Sequence, residues 1–309
     1  MSSSVNIETT PFNQIPNTPQ KMTVHIVFAI ALAHCLNDLI QASLPAIYPL
    51  LKENFALSFA QVGLISLVFQ ITASLLQPWV GFYTDKYPKP YLLPIGMSVT
   101  LCGIVLLAFA PSFAVLLLAA ALIGVGSSTF HPEASRVARL ASGGKFGTAQ
   151  SAFQVGGNSG SAIGPLLAAA IIVPSGQASA AWLILIALFA IVVLFRISQW
   201  TVKTTIAHQQ KKPVSSTQIQ LPRTTLIRAL AVICFLMFAK FTYISSISNY
   251  YTFYLMDKFQ LSLQQSQLYL FAFLGAVALG TFVGGPIGDR IGRKAVIWMS
   301  FMGMAPFAL

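Results

Sequence analysis

The chain has 309 residues, of which 56% are hydrophobic and only 8% charged, and its net charge is +11. Ordinary soluble domains carry about 25% charged residues, so this composition excludes a soluble globular protein and indicates a chain that lies mostly in lipid. A nucleic-acid partner is excluded as well, because the basic residues fall in short segments between apolar runs and form no basic face.

The sequence divides into a polar tail, a series of apolar spans and one long polar connection. Residues 1–23 predict a disordered cytoplasmic tail. A membrane-spanning helix needs about twenty mainly apolar residues, which predicts complete spans at 24–50, 60–83, 91–110, 113–133, 148–173, 179–199, 226–256 and 265–287. A ninth span begins near Ala295 and reaches Leu309 after a rise of only about 22 Å, so we expect a chain that ends inside its ninth helix.

The predicted fold is an all-α polytopic membrane protein, a two-lobed helical bundle, because backbone groups in lipid must be satisfied within their own helix. Residues 24–199 form the N-terminal six-helix lobe, 200–225 a cytoplasmic linker and 226–309 an incomplete C-terminal lobe. Fifteen lysines and arginines fall on the side of the amino terminus, and only Lys52 and Lys258 fall on the other. The positive-inside rule therefore predicts a cytoplasmic amino terminus in a bacterial-type inner membrane.

The loop at 81–86 has a second copy 204 residues later, at 285–290, with glycine and aspartate in register. The same offset aligns Leu51, Glu53, Phe55, Leu57 and Ser58 with Leu255, Asp257, Phe259, Leu261 and Ser262. Duplicated multi-helix units in an apolar chain are typical of secondary transporters. An aspartate at a helix end with basic neighbours can hold one side closed and release it when the lobes rock. We therefore predict a gating role for Gly81, Asp85, Lys86, Gly285, Asp289, Arg290 and Arg293.

The first span carries a polar stripe with the spacing of one helix face, formed by His34, Asn37, Asp38 and Gln41. Asp38 lies near mid-bilayer, where a carboxylate is costly and usually faces a cavity or a partner. Burial disfavours the charged form of a carboxyl group, so Asp38 is a candidate proton-binding site, with His34 as a relay. Asn37 and Gln41 would line the cavity. The alternative is a carboxylate that only satisfies an interhelical hydrogen-bond network.

Lys240 is the other charge deep in a span, and the repeat offset makes it nearly the counterpart of Asp38. We expect both side chains to face one central cavity, where Lys240 either holds an anionic substrate or pairs with Asp38. A permanent structural pair is the alternative. Tyr243, close by on the same span, is predicted to line the substrate path.

The fifth span carries Gly156, Gly160 and Gly164 at every fourth position, followed by Pro165. Such a run predicts a smooth groove against a neighbouring helix and a kink at the proline. Simple helix packing and a helix that slides or bends are both compatible with this pattern. The same span adds two candidate cavity residues, Gln154 and Asn158.

At the inner end of the fourth span, Glu133 and Arg136 are three residues apart and can pair on one helix face. Pro132 is predicted to fix a turn just before them. The pair is either a surface contact of little energetic weight or a latch that opens and closes with the transport cycle.

Nothing in the sequence indicates an enzyme, a cofactor or a metal site. Cys35, Cys102 and Cys234 all lie in apolar runs without metal-ligand spacing, and they read as small buried side chains. Nucleophile elbows, zinc-protease motifs and Walker loops are not found, which argues against hydrolysis and against an ATP-driven pump.

The loop Gly285–Lys294 resembles the signature of the major facilitator superfamily, and the glycine run ending at Pro165 resembles that of its drug/proton antiporters. Across nearly all its length the chain resembles the fosmidomycin resistance protein family. The matching stretches are His34–Gln41, Leu76–Pro88, Phe130–Arg136 and Ser248–Tyr254. One departure is Ala120, four residues before Gly124, where drug/proton members often carry an arginine. The coupling role of that arginine would either pass to another residue, such as Arg136 or Lys240, or be absent.

The resemblance implies a proton-coupled antiporter that exports a small anionic phosphonate drug by alternating access, with the lipid bilayer and protons as its other partners. We expect a monomer. The alternatives are a facilitative or uptake carrier for a small anionic metabolite, or an inactive fragment of such a transporter.

Overall fold

The structure is a computed structural model that describes residues 21–87, 89–209, 222–291 and 293–308, without the side chains of 206–209, 282, 284–286, 288–290, 293 and 305–308. Throughout this part of the chain the regular elements are helical. The helices are α1 Val24–Ala46, α2 Tyr48–Asn54, α3 Phe59–Gln70, α4 Leu76–Lys86, α5 Leu92–Ala108, α6 Phe113–Ala141, α7 Phe146–Leu167, α8 Val173–Ser175, α9 Trp182–Gln209, α10 Arg223–Phe259, α11 Leu263–Ile291 and α12 Arg293–Ala308. A π-helical turn at Ile71–Leu75 joins α3 to α4, another at Ala168–Ile172 joins α7 to α8, and a 3₁₀ turn at Gln177–Ala181 precedes α9.

The prediction of an all-α polytopic membrane fold is confirmed. Six helical stretches of the described residues are long and apolar enough to cross a membrane: Val24–Ala46, Phe59–Lys86, Phe113–Ala141, Phe146–Ser175, Gln177–Thr205 and Arg223–Phe259. Leu92–Ala108 is apolar but shorter, with 17 residues. Large apolar side chains such as Trp79 and Phe82 are about three-quarters exposed, as expected for surfaces that lie against lipid.

Three predicted boundaries differ from the structure. The first span ends at Ala46, because Pro49 stands at the start of a new helix, α2, where its missing N–H costs nothing. Pro132 does not make a turn but lies inside α6, which ends instead where Gly143 and Gly144 adopt positive φ. Helix α9 runs to Gln209, inside the segment predicted as the linker, and residues 210–221 of that segment lie outside the described part.

The internal duplication is visible in local geometry. Ser58 and Gln61 form a capping box at the start of α3, and Ser262 and Gln265 form the same box at the start of α11. Two residues before each serine, at Ala56 and Gln260, φ is 49° and 54°. Both repeats therefore enter this helix through the same left-handed turn.

The main core lies in the N-terminal lobe, where α1 packs along α7 and α5 packs along α6. Helices α10 and α11 pack on this lobe through α1, α2 and α7. A smaller cluster of Ala162, Leu270 and Leu274 joins α7 to α11.

Several contacts between the lobes lie at the end of the bundle where α2 lies, which we call the α2 end. There the rings of Phe59 and Phe253 are 5.3 Å apart, and Ser66 donates a hydrogen bond of 3.2 Å to Asn249. Nε2 of Gln267 also donates to the carbonyl of Ala46, at 2.5 Å. Towards the other end, which carries the ends of α4 and α6 and which we call the basic end, α10 is exposed from Pro222 to Phe235.

Candidate transport cavity

A cavity of about 600 Å³ lies between the lobes. Its polar lining residues are Asp38, Gln41, Gln70, Ser74, Gln77, Ser127, His131, Ser161, Ser245, Ser248 and Asn249. Among the described residues of the lining there is no lysine or arginine, so Asp38 and His131 are the ionisable groups there apart from the phenol of Tyr48.

Asp38 is the centre of a cluster of three ionisable side chains. Oδ2 of Asp38 lies 3.3 Å from Nε2 of His34 on the next turn of α1, and Oδ1 lies 3.8 Å from Nε2 of His131 on α6. The side chain of His34 is only 2% exposed, whereas those of Asp38 and His131 are 18% and 33% exposed. The cluster thus reaches from the buried interior to the cavity wall.

The hydrogen bonds of His34 determine where a proton can reside. Nδ1 of His34 lies 2.7 Å from the carbonyl oxygen of Phe153, and a carbonyl only accepts hydrogen bonds, so Nδ1 carries a hydrogen. The contact between Nε2 and Asp38 then requires one further proton, held either by the imidazole or by the carboxyl group. His34 and Asp38 are thus close enough to share one proton, as the predicted proton-coupling role of this pair requires.

Neighbouring groups orient this pair. Asn37 and Gln41 donate to Oδ1 of Asp38 at 3.0 and 3.4 Å, and the ring of His34 stacks on Phe153 with centroids 4.0 Å apart. Gly157 of α7 leaves the space that the pair occupies, since a Cβ there would overlap the imidazole of His34. One potential metal-ligand atom from each of His34, Asp38 and His131 lies within 4.8 Å of the other two. Oδ1 of Asp38 already accepts from two amides, which leaves it poorly suited to bind a metal ion.

His131 was not among the predicted site residues. Pro132 had suggested that the fourth span ended near this point, which would have put His131 at the membrane surface. Because α6 continues through the proline, His131 instead faces the cavity beside Asp38. The sequence carried no direct signal for this contact, because His131 and Asp38 are 93 positions apart.

The other predicted cavity residues are placed as follows. The side chain of Lys240 is exposed, outside the cavity lining, with its ammonium 5.3 Å from the ring centroid of Phe241. Tyr243 packs its ring against Phe273. Asn158 accepts from Gln154 and donates to Thr281 of α11 at 2.8 Å. The predicted meeting of Lys240 and Asp38 is therefore not present in this arrangement of the helices.

The glycine run of α7 lies against α1. A Cβ at Gly156 would overlap the carbonyl oxygen of Ala31, and one at Gly160 would overlap that of Cys35. Further along, Gly164 lies against Ala42, and Pro165 is followed by the π turn at Ala168–Ile172. Helices α1 and α7 approach this closely only because these positions lack side chains.

The predicted gating residues of the N-terminal lobe lie at the basic end. Arg136 donates to Oε2 of Glu133 at 2.6 Å and to the carbonyl of Thr84, in α4, at 2.7 Å. Gly81 of α4 faces Pro132 of α6. Asp85 and Lys86, at the end of α4, are exposed. The side chains of the second copy, at Gly285, Asp289, Arg290 and Arg293, lie outside the described residues.

The Glu133–Arg136 pair should contribute to stability, which distinguishes it from a surface contact. Glu133 is 1% exposed, and removing its charge leaves the buried end of Arg136 with neutral acceptors only, an amide oxygen and the Thr84 carbonyl. We expect E133Q to cost about 1–3 kcal/mol and to lower the apparent melting temperature of the purified protein by several degrees. E53Q, at an exposed glutamate, is the control and should change little. Equal melting temperatures for the two variants would show that the pair has no structural weight.

The fold and the cavity define a two-lobed helical membrane transporter. Residues 30–309 match the Major Facilitator Superfamily, and the chain belongs to this family.

Relatives of known sequence share most of this chain. It is 57% identical over 294 residues to the fosmidomycin resistance protein of Escherichia coli (strain K12), covering 94% of this chain and 72% of the relative. It is 46% identical over 289 residues to the uncharacterized MFS-type transporter YfnC of Bacillus subtilis (strain 168), covering 92% and 70%. The resemblance found in the sequence is confirmed.

Solved structures share the fold at low identity. A bacterial homologue of the human lysosomal transporter Spinster, inward-facing and unoccupied, is 16% identical with a TM-score of 0.61 and covers 91% of this chain. Tetrameric PepTSo2 is 15% identical with a TM-score of 0.52 and also covers 91%. This chain spans 64% and 58% of the lengths of those two proteins, which is less than two thirds of each.

Proposed function

We propose that this protein is a proton-coupled efflux transporter that exports a small anionic antibiotic of the phosphonate class, such as fosmidomycin, in exchange for protons. The observation that supports it most is the contact of 3.3 Å between Nε2 of His34 and Oδ2 of Asp38 beside the cavity between the lobes. The name and 57% identity of the Escherichia coli relative support the choice of substrate.

Coupling requires that the proton and the substrate favour different states of the transporter. When the pair has lost its proton, Asp38 is an acceptor at the cavity wall, and a hydroxyl group of the substrate, such as that of a hydroxamic acid, can donate to it. Protonation of the pair neutralises its negative charge and so weakens Asp38 as an acceptor, because hydrogen bonds to charged acceptors are the stronger ones. The substrate and the proton then compete for one carboxylate, which is the condition for exchange.

The arrangement of the lobes supports alternating access. Interlobe contacts hold the α2 end closed through Gln267 and Asn249, whereas α10 is exposed towards the basic end. We place the basic end on the cytoplasmic side of an inner membrane, as the lysine and arginine distribution indicates, and propose that the cavity opens to the cytoplasm there. Drug enters from that side, and rocking of the lobes exposes Asp38 to external protons.

The test is transport in reconstituted vesicles with an imposed pH gradient. Drug should accumulate in the compartment with more protons, and collapse of the gradient by a protonophore should abolish accumulation. A carrier that only equilibrates the drug, with no dependence on the gradient, would contradict the proposal.

His131 should relay protons between the cavity and Asp38, because its Nε2 faces the carboxylate and its side chain is partly open to the cavity. Relays of this kind contribute about 10²-fold or more. We expect H131Q to reduce proton-driven efflux at least about tenfold while leaving drug exchange without a pH gradient near the wild-type rate. H25Q, at the exposed start of α1, should behave as wild type. Equal loss of both activities would assign His131 a structural role.

A further inference from the structure

One face of the second span lines the cavity with three polar side chains that have no assigned role. These are Gln70, Ser74 and Gln77, at positions i, i+4 and i+7. They make no hydrogen bond to another described residue, unlike Asp38, Gln41 and Asn249, which are bonded within the protein. Their amide and hydroxyl hydrogens are available to a ligand.

The backbone of the second span has an unusual turn between these residues. The π-helical turn Ile71–Leu75 lies between Gln70 and Gln77, and single π turns inside α-helices occur frequently at functional sites. The turn is held in place by Thr72, whose hydroxyl donates to the carbonyls of Val68 and Phe69 and lies against Gly124 of α6. A rigid turn presents the three side chains at fixed positions.

The charge of the cavity decides what these groups can bind. No lysine or arginine lines the described part of the cavity, Lys240 lies outside the lining, and the imidazole of His131 faces Asp38. Neutral donors are therefore the groups in this lining that are free to hold an anion. Two primary amides and a hydroxyl supply up to five N–H and O–H hydrogens. Hydrogen bonds to charged acceptors are roughly twice as strong as those between neutral groups.

We propose that Gln70, Ser74 and Gln77 form the subsite that binds the oxyanion end of the substrate, a phosphonate or similar tetrahedral anion, through neutral hydrogen-bond donors. This rests on the proposed function. The substrate would be bipolar, with its hydroxyl donor at Asp38 on α1 and its anionic end on the second span. The subsite would then select among anions by hydrogen-bond geometry, without a fixed positive charge.

The test compares two ligands on wild-type and variant protein purified in detergent. The ligands are fosmidomycin and an analogue in which a methyl group replaces the phosphonate, and binding is measured by calorimetry. Wild type should bind fosmidomycin more tightly than the analogue. Q70L and Q77L should each weaken fosmidomycin binding about tenfold or more, in line with the loss of one charged hydrogen bond, and leave binding of the analogue unchanged. Q77E, which adds a negative charge, should weaken fosmidomycin further.

Two controls define the outcome. Q264L changes an exposed glutamine outside the cavity lining and should leave both affinities unchanged, and K240M should do the same. If K240M loses its preference for fosmidomycin over the analogue while Q70L and Q77L keep it, the subsite is wrong and Lys240 binds the anionic group. Equal weakening of both ligands in Q70L and Q77L would also overturn it. Wild-type protein that neither binds nor transports fosmidomycin would overturn the proposed function together with this subsite.

Discussion

D38N should abolish proton-driven efflux, lowering it by at least about 100-fold, to the rate of vesicles without the transporter. The carboxyl group is the member of the cluster that both neighbouring histidines face, and an amide cannot exchange a proton in its place. The fold should persist, because the new amide can donate to Nε2 of His34 with little change in shape. Drug efflux driven by an imposed pH gradient and protein yield from the membrane fraction are the two measurements.

A matched variant separates charge from location. Asp257 is exposed at the α2 end, so D257N removes one carboxylate without touching the cavity and should transport as wild type. Drug resistance that is unchanged in cells producing D38N would remove Asp38 from the mechanism.

Substituting alanine for Gly160 should be strongly damaging to the packing of α7 against α1. The added Cβ would overlap the carbonyl oxygen of Cys35 in α1, and neither backbone can yield without moving a whole helix. Overpacking of this kind typically costs about 1–3 kcal/mol, more than the up to about 1 kcal/mol that alanine gains over glycine in helix propensity. We expect G160A to give less folded protein, a lower melting temperature and a strongly reduced transport rate.

Gly147 provides the control on the same helix. A Cβ there meets nothing within 4 Å, so G147A should be neutral or slightly stabilising. If G160A melts at the wild-type temperature, α1 and α7 are not packed as closely as the contact between Gly160 and Cys35 requires.

Features that depend on local chemistry were predictable. The repeat offset aligned Ser58 with Ser262, and both residues begin helices with the same capping box, because a capping box is specified by four consecutive residues. On the polar face of the first span, Asp38 and Gln41 line the cavity, whereas Asn37, predicted to line it, lies outside the lining and donates to Asp38, which His34 also contacts.

Features that depend on how helices meet were not predictable. Asp38 and His131 are brought together by the packing of α1 beside α6, which no spacing within one helix can reveal. Lys240 was paired with Asp38 from the repeat offset, but a repeat fixes depth in the membrane and leaves the rotation of a helix about its axis undefined. Gln70 and Gln77 were overlooked because the π turn between them has no sequence signature of its own.

That turn at Ile71–Leu75 has a consequence for how selectivity could change over evolutionary time. Each residue of an α-helix rotates the chain by about 100°, so deleting one codon within the turn would swing everything after it by that angle. Gln77 would leave the cavity while Gln70 stayed, and the substrate preference of the transporter would shift with no side chain exchanged. We therefore expect that related transporters with a different substrate will include some that differ from this chain by one residue in the length of this turn.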